Sequence, residues 1–153
     1  MSESTTVMLR CGNCLTLNRV PRERLSFSPV CGNCKTVMDF PRQPVSARSD
    51  SFDRETTHWP ETLLVMFTST ACLYCKIFAP IVNGLANDRA GKLKIILVDC
   101  DTQTDLTERY KIEKTPTFIV FQDGEEVLRV DGPPKDKTDL VKWIDNLIGT
   151  PGH

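Results

Sequence analysis

The sequence lacks any long hydrophobic run and any marked excess of charge. Its longest apolar stretches, such as Leu63–Phe67, are far too short for a bilayer, which a helix crosses with about 20 apolar residues. Lys and Arg number 19 against 20 Asp and Glu, so the formal net charge is −1. These absences argue against an integral membrane protein, and against nucleic acid or an anionic membrane as the main partner.

The start of the sequence also lacks a secretory signal, since no apolar run precedes the first cysteine. We therefore expect a cytoplasmic protein in a reducing compartment. There, the seven cysteines favour metal binding and redox catalysis over a framework of structural disulfides.

Four of the cysteines form two copies of one motif, CGNC, at 11–14 and 31–34. The pattern C-x2-C-x16-C-x2-C has the spacing of a zinc ribbon, and four thiolates suit the tetrahedral coordination of structural zinc. Gly12 and Gly32 are expected to allow the tight turn of each knuckle. Two disulfides, two extra redox pairs or an iron–sulfur centre remain as alternatives. We expect one structural Zn²⁺ on four ligands: Cys11, Cys14, Cys31 and Cys34.

The rest of the chain divides into a linker and a longer α/β segment. Residues 41–50 contain two prolines and no periodic apolar face, which is typical of a linker. We predict a zinc-ribbon module over 1–42, a linker over 43–50 and one domain over 51–153. Hydrophobic periodicity predicts an α/β fold, a mixed sheet flanked by helices in the order α-β-α-β-α-β-β-α. The predicted elements are a helix at Ser51–His58, a strand at Leu63–Phe67, a helix at 73–89, a strand at Leu93–Val98, a helix at Asp105–Tyr110, a hairpin of Thr117–Phe121 with Glu126–Val130, and a helix over 140–148.

Cys72 and Cys75 form a third C-x2-C pair, CLYC, between a predicted strand and a predicted helix. At a helix N-terminus, free N–H groups and the positive end of the helix dipole stabilise a thiolate. We expect Cys72 to attack a substrate disulfide and Cys75, three residues on, to resolve the mixed disulfide. The alternative is half of a second zinc site. It lacks a second half, because only Cys100, His58 and His153 remain, with no paired spacing.

From residue 51 to 148 the chain resembles thioredoxins, and its layout with two CxxC knuckles ahead of the domain resembles the zinc-containing bacterial thioredoxin 2 family. The matching residues are the cysteine pair, FAP at 78–80, GKL at 91–93, TPTF at 115–118, FQDGEEV at 121–127 and Gly132.

The resemblance implies a thioredoxin fold with a small N-terminal zinc ribbon, and protein-disulfide reductase activity. It implies a cis Thr115–Pro116 bond beside the cysteines, where Thr115 and Pro116 bind a substrate peptide as an added strand. The implied partners are disulfide-containing proteins and a reductase that draws on NADPH, or a glutathione system. We expect a monomer with zinc and no organic cofactor.

Three thioredoxin features are missing: the flanking tryptophan, the Gly-Pro spacer and the buried Asp–Lys pair. The chain has other residues there: Ala71, Leu73 and Tyr74, Met66 and Leu97. A buried carboxylate near two thiols raises their pKa and can activate the resolving cysteine. With Met66 in its place we expect a more favoured Cys72 thiolate and slower resolution. The reduction potential should lie some tens of millivolts above that of ordinary thioredoxins, where about 30 mV corresponds to about 1.4 kcal/mol.

The altered site leaves other functions open. A glutathione-coupled oxidant or isomerase would keep the redox chemistry, whereas a redox-inactive zinc-containing module would bind or chaperone a partner. Cys100 is expected to be a small buried or edge residue rather than a third redox thiol.

Overall fold

The fold is described by a computed structural model that covers residues 6–21, 24, 29–38, 42–47, 49–57, 62–90 and 92–148. Its elements, in chain order, are β1 (Thr6–Arg10), β2 (Leu17–Pro21), β3 (Val45–Ser46), α1 (Phe52–Thr57), β4 (Thr62–Thr68), α2 (Leu73–Asp88), β5 (Leu93–Asp99), α3 (Thr104–Arg109), β6 (Thr117–Gln122), β7 (Glu125–Asp131) and α4 (Lys137–Ile148). No helix within these residues is both long and apolar enough to span a bilayer.

The strands form two sheets. β1 and β2 pair antiparallel as a small ribbon, and the other five strands form one sheet in the order β3-β5-β4-β6-β7. β3, β5 and β4 are parallel to one another, whereas β6 and β7 are antiparallel to their neighbours. The predicted α/β class with a mixed sheet is therefore confirmed.

Val45–Ser46 lies inside the segment predicted as a linker, yet it pairs with Ile96 and Leu97 of β5. The next amide, Ala47 N, donates to Leu97 O at 2.8 Å. This strand was not predicted, because two residues carry no alternation by which a strand is recognised. The boundaries of the three predicted regions stay a prediction.

The two faces of the large sheet carry different layers. One face packs against α1, α3 and the ribbon, in a single apolar cluster that includes Val7, Leu9, Val20, Phe52, Phe67, Leu106 and Ile119. The other face packs against α2 and α4, in a cluster that includes Met66, Phe78, Val82, Leu85, Phe118, Leu140 and Ile144. The ribbon thus shares a core with the sheet, and burial of that apolar surface stabilises both together.

Apolar residues recur every four positions along α2, at Leu73, Ile77, Ile81 and Leu85, and this stripe meets the core only in part. Leu73 is 67% exposed, whereas Ile77 and Ile81 pack at the edge of the core and Leu85 is buried in it. The buried residues of α2 are Cys75, Phe78, Val82, Leu85 and Ala86. A strict repeat of four drifts around a helix of 3.6 residues per turn, so only part of such a stripe can face the core.

The predicted hairpin of β6 and β7 is confirmed. Asp123 and Gly124 form its two-residue turn with φ angles of 53° and 82°. Positive φ at both turn residues matches the right-handed twist of the flanking strands, which is why an Asp-Gly pair is favoured there.

Candidate redox site and metal centre

Cys72 and Cys75 are joined by a disulfide, with Cα atoms 5.3 Å apart. Cys72 is the N-cap of α2, in an extended conformation, and its Sγ accepts a hydrogen bond from Cys75 N at 3.0 Å. An N-cap sulfur faces amides that have no partner within the helix, and these stabilise negative charge. The strand-to-helix junction inferred from the sequence therefore exists at these residues.

The spacer residues are exposed while both sulfurs are nearly buried. Leu73 is 67% and Tyr74 52% accessible to solvent, whereas Cys72 and Cys75 belong to the apolar cluster beneath them. An exposed apolar and an exposed aromatic side chain therefore border the disulfide at the surface.

The interior behind Cys75 is apolar. Met66 is buried between Leu97 on β5 and Phe118 on β6. Among the residues that the structure describes, the buried charged side chains are Glu55 and Lys94, which pack on the ribbon side of the sheet. Met66, where the resemblance described above implies a carboxylate, is a thioether that can neither repel a thiolate nor accept its proton.

The loop that leads into Cys72 is held by neighbouring polar groups. Thr70 N donates to Asp101 Oδ2 at 3.0 Å, which lowers the pKa of that carboxyl. Ser69 Oγ lies 3.4 Å from Thr115 Oγ1, and the Thr115–Pro116 peptide bond is cis. Asp101 was missed in the sequence analysis. A polar residue shortly after the carboxyl end of a buried strand, the edge where binding sites gather in α/β sheets, was the available signal.

The four cysteines of the two CGNC motifs form a compact cluster. Their sulfur atoms all lie within 4.8 Å of one another. Across the two motifs, Cys11 Sγ lies 3.6 Å from Cys34 Sγ and Cys14 Sγ lies 3.7 Å from Cys31 Sγ. All four are free thiols. Four convergent sulfurs of this kind fit a tetrahedral zinc ion with no position left for a water.

Hydrogen bonds around the cluster lower the pKa of the Cys31 and Cys34 thiols, whereas the pKa of the Cys11 thiol is raised. Asn13 N donates to Cys11 Sγ at 3.3 Å, and Asn33 N donates to Cys31 Sγ at 3.4 Å. The hydrogen bond with Thr36 and then that with Asn13 lower the pKa of the Cys34 thiol to about 5. Metal ligation needs thiolates, so these contacts suit the predicted role.

The tight turns of the knuckles do not depend on the glycines as expected. The positive φ angles fall on Leu15 and Lys35, both 67°, each directly after the second cysteine of its motif. Gly32 contributes in another way, because its N–H donates to Asn18 Oδ1 at 2.9 Å. The sequence signal was misassigned because glycine is the usual residue at left-handed positions.

The fifth free cysteine lies on the other face of the sheet from the disulfide. Cys100 is half-buried and packs against the cluster that contains Phe67 and Leu106. Burial raises the pKa of its thiol, which makes it a poor nucleophile at neutral pH. His58 and His153 lie outside the described residues.

One buried charge cluster has no counterpart in the sequence analysis. Arg10 of β1 bonds the carboxylate of Glu55 in α1, and Lys94 of β5 lies 3.1 Å from the same carboxylate. The signal was a lysine inside the apolar run LKIILV of β5, where residues on both faces of the strand are buried.

Comparison with known proteins gives the same assignment for both regions. A family model described as Thioredoxin matches residues 43–146, and one described as Thioredoxin 2, N-terminal matches residues 10–36. Thioredoxin C-2 of Corynebacterium nephridii is 33% identical over 68% of this chain and 95% of its own length. A thioredoxin of Staphylococcus epidermidis is 42% identical over 56% of this chain and 81% of its own.

A solved structure agrees with the fold. A mutant thioredoxin from Halobacterium salinarum superposes with a TM-score of 0.65 at 23% identity, over 74% of this chain and 98% of the other. At that identity the likeness supports the architecture alone, and the sequence relatives carry the assignment of activity.

Proposed function

The chain belongs to the thioredoxin family and is a thiol–disulfide oxidoreductase, and from this premise we propose that Cys72 is the attacking nucleophile and Cys75 the resolving cysteine. The observation that best supports this proposal is the N-cap position of Cys72, where Cys75 N donates a hydrogen bond to the Cys72 sulfur. Amides directed at that sulfur stabilise its thiolate once the disulfide has been reduced.

In the first proposed step, the Cys72 thiolate attacks one sulfur of a substrate disulfide. The substrate S–S bond breaks, a mixed disulfide forms, and the other substrate sulfur leaves as a thiolate and takes a proton. The Cys75 thiolate then attacks the Cys72 sulfur and releases the second substrate sulfur, which takes the proton lost from Cys75. Two electrons pass from the protein to the substrate, and the Cys72–Cys75 disulfide is left.

Thr115 and Pro116 are proposed to bind the substrate peptide next to this disulfide. The contact between Thr115 and Ser69, in the loop before Cys72, supports this role. An extended peptide lying there would take main-chain hydrogen bonds as an added strand. Leu73 and Tyr74 would contact its side chains.

The four-cysteine cluster is proposed to bind one structural zinc ion. The compact, fully thiolate donor set supports zinc, which contributes structure here rather than chemistry on the substrate. A cluster that must stay reduced favours a reducing compartment such as the cytoplasm. We further propose a monomer that acts on disulfide-containing proteins and is recharged by an NADPH-dependent reductase.

An insulin-reduction assay tests the cysteine roles. With dithiothreitol or a thioredoxin reductase as donor, Cys72→Ser should abolish turnover. Cys75→Ser, reduced beforehand and freed of dithiothreitol, should instead accumulate a mixed disulfide with insulin, visible as a mass increase under non-reducing conditions. Cys100→Ser is the matched control and should turn over like the wild type. Undiminished turnover in Cys72→Ser would refute the proposal, and turnover with glutathione alone would identify that donor instead.

A further inference from the structure

The junction between the ribbon and the large sheet contains a buried group of three charged residues. Glu55 is fully buried and Lys94 is 1% exposed, with Lys94 Nζ 3.1 Å from Glu55 Oε1. Arg10 bonds the other carboxylate oxygen, and also Ser51 Oγ. Lys94 Nζ further donates to Met8 O at 3.4 Å. The ribbon therefore supplies a cation and a carbonyl to a buried ion pair of the thioredoxin domain.

These contacts are shielded by apolar neighbours that belong to both modules. Val7 and Leu9 of β1 and Phe52 of α1 are buried in the same cluster. Burial raises the pKa of Glu55, but the charges of Lys94 and Arg10 outweigh it and hold the pKa below its usual value. A charge in such a site is strongly disfavoured when its partner is removed. β1 therefore supplies part of the bonding that compensates the burial of these charges.

Arg10 also connects this junction to the cysteine cluster. It precedes Cys11 directly, and its guanidinium donates to Leu15 O, at the turn that follows Cys14. Cys11 N donates to Thr16 O at 2.9 Å, which fixes the backbone just after Arg10. Any ion that orders the four sulfurs therefore also orders the segment that carries Arg10.

We propose that Glu55 and Lys94 are a docking site for Arg10 that couples metal binding in the ribbon to the stability of the thioredoxin domain. The coupling rests on the proposed zinc binding. Because binding free energies are reciprocal, the docked domain tightens zinc binding by the same factor by which zinc stabilises docking. The zinc-bound ribbon then stabilises the thioredoxin domain, and loss of the zinc releases the ribbon from that domain.

Zinc affinity of the full chain tests the coupling. Zinc dissociation constants are measured by competition with a chelating dye, for the wild type and Glu55→Gln. Hydrogen bonds to charged groups contribute about 1.5–3 kcal/mol, so we expect the variant to bind zinc about 10-fold more weakly or worse. Chelation should also lower the thermal midpoint of the wild type by more than that of the variant.

Two controls separate coupling from general destabilisation. Asp53→Asn removes an exposed acid two residues away on the same helix, where it pairs with Arg109 and not with the ribbon. Asp145→Asn breaks the bidentate bonds to Arg89 between α2 and α4, on the opposite face of the sheet. Both should bind zinc with wild-type affinity. Weakening by Asp145→Asn equal to that by Glu55→Gln would overturn the coupling.

A second variant keeps the test valid if Glu55→Gln fails to fold. Glu55→Met with Lys94→Met removes both charges at similar volume, which buried ion pairs often tolerate. It leaves Arg10 without its carboxylate, so the same loss of zinc affinity is expected. Equal zinc affinity in this variant and the wild type would overturn the coupling alone. Absence of zinc from the wild type, measured by metal analysis, would overturn the proposed metal centre itself.

Discussion

The three C-x2-C motifs share one local device and differ in the structure of the residues after it. In CGNC at 11–14, Cys14 N donates to Cys11 Sγ at 3.5 Å, and in CLYC, Cys75 N donates to Cys72 Sγ at 3.0 Å. After the knuckle, Leu15 turns the chain back with φ 67°, whereas after CLYC the chain continues as α2. The spacing therefore aims amides at the first sulfur in both cases. The chain beyond it decides whether a second pair of sulfurs converges to hold a metal or one pair remains to exchange electrons.

The two centres also differ in how charge is buried near them. The ribbon junction holds Glu55 and Lys94 in a buried ion pair, while the space behind Cys75 is filled by Met66 and Phe118. The ribbon is thus held by a buried ion pair as well as by apolar packing, whereas the interior behind the redox pair is apolar. Four kinds of variant should distinguish the two regions. They remove a zinc ligand, truncate the core, introduce a carboxylate behind the redox pair, or change the first spacer residue of a motif.

The largest expected effect is loss of the metal from the ribbon in Cys34→Ser. Structural zinc contributes about 10–16 kcal/mol of apparent binding free energy in zinc-finger peptides, and three remaining thiolates leave an open coordination position. We expect the zinc content per chain of Cys34→Ser, by metal analysis after dialysis against a chelator, to fall well below that of the wild type. Insulin reduction should stay within about twofold as long as the thioredoxin domain remains folded, because the ribbon packs on the opposite face of the sheet from Cys72 and Cys75. A loss of turnover that matches the loss of zinc would contradict this separation.

The next largest effect is expected from Phe78→Ala behind the redox pair. Phe78 is buried and contacts the Phe118 ring edge-on, with centroids 5.8 Å apart. Truncating a buried phenylalanine lowers the free energy of unfolding by about 3–5 kcal/mol. Chemical denaturation measures it, with the half-exposed Val127→Ala as the control, for which we expect a change within about 0.5 kcal/mol. If Phe78→Ala lowers the free energy of unfolding by no more than Val127→Ala does, packing of Phe78 does not hold α2 in place.

The motifs could be read from the sequence because their chemistry is local. A C-x2-C pair places two sulfurs near each other whatever surrounds it, so the cysteine cluster and the Cys72–Cys75 pair could both be predicted from residue spacing. The hairpin at Asp123 and Gly124 was predicted for the same reason, since two residues set its turn.

Features that depend on distant partners were not predictable. β3 exists because it pairs with Ile96 and Leu97, about 50 residues on, and its own two residues carry no pattern. The ion pair of Glu55 and Lys94 joins separate elements in the same way. A lysine in an apolar strand shows that a partner is needed but does not name it.

A smaller effect is expected when Met66→Asp returns a carboxylate to the redox face. Once ionised, it repels the thiolates, raises their pKa and disfavours the reduced form, so the reduction potential should fall. We expect a shift of about −30 mV, corresponding to about 1.4 kcal/mol, in equilibration with glutathione buffers at pH 8, where a buried carboxyl is more fully ionised. Met66→Leu is the matched control and should leave the potential unchanged. An unchanged or higher potential in Met66→Asp would contradict the proposed role of this position.

The smallest expected effect comes from placing proline directly after the first cysteine of a motif, which should act differently in CLYC and in CGNC at 31–34. Leu73 is the first residue of α2, is 67% exposed and follows Cys72, whose ψ of 111° suits a residue before proline. Leu73→Pro should therefore raise the free energy of unfolding by about 0.4–1 kcal/mol, through the unfolded chain. In the ribbon, Gly32→Pro removes the N–H that bonds Asn18 Oδ1, so it should weaken zinc binding instead. Denaturation and dye competition measure the two effects, and a destabilised Leu73→Pro would mean that the helix does not begin where its cap indicates.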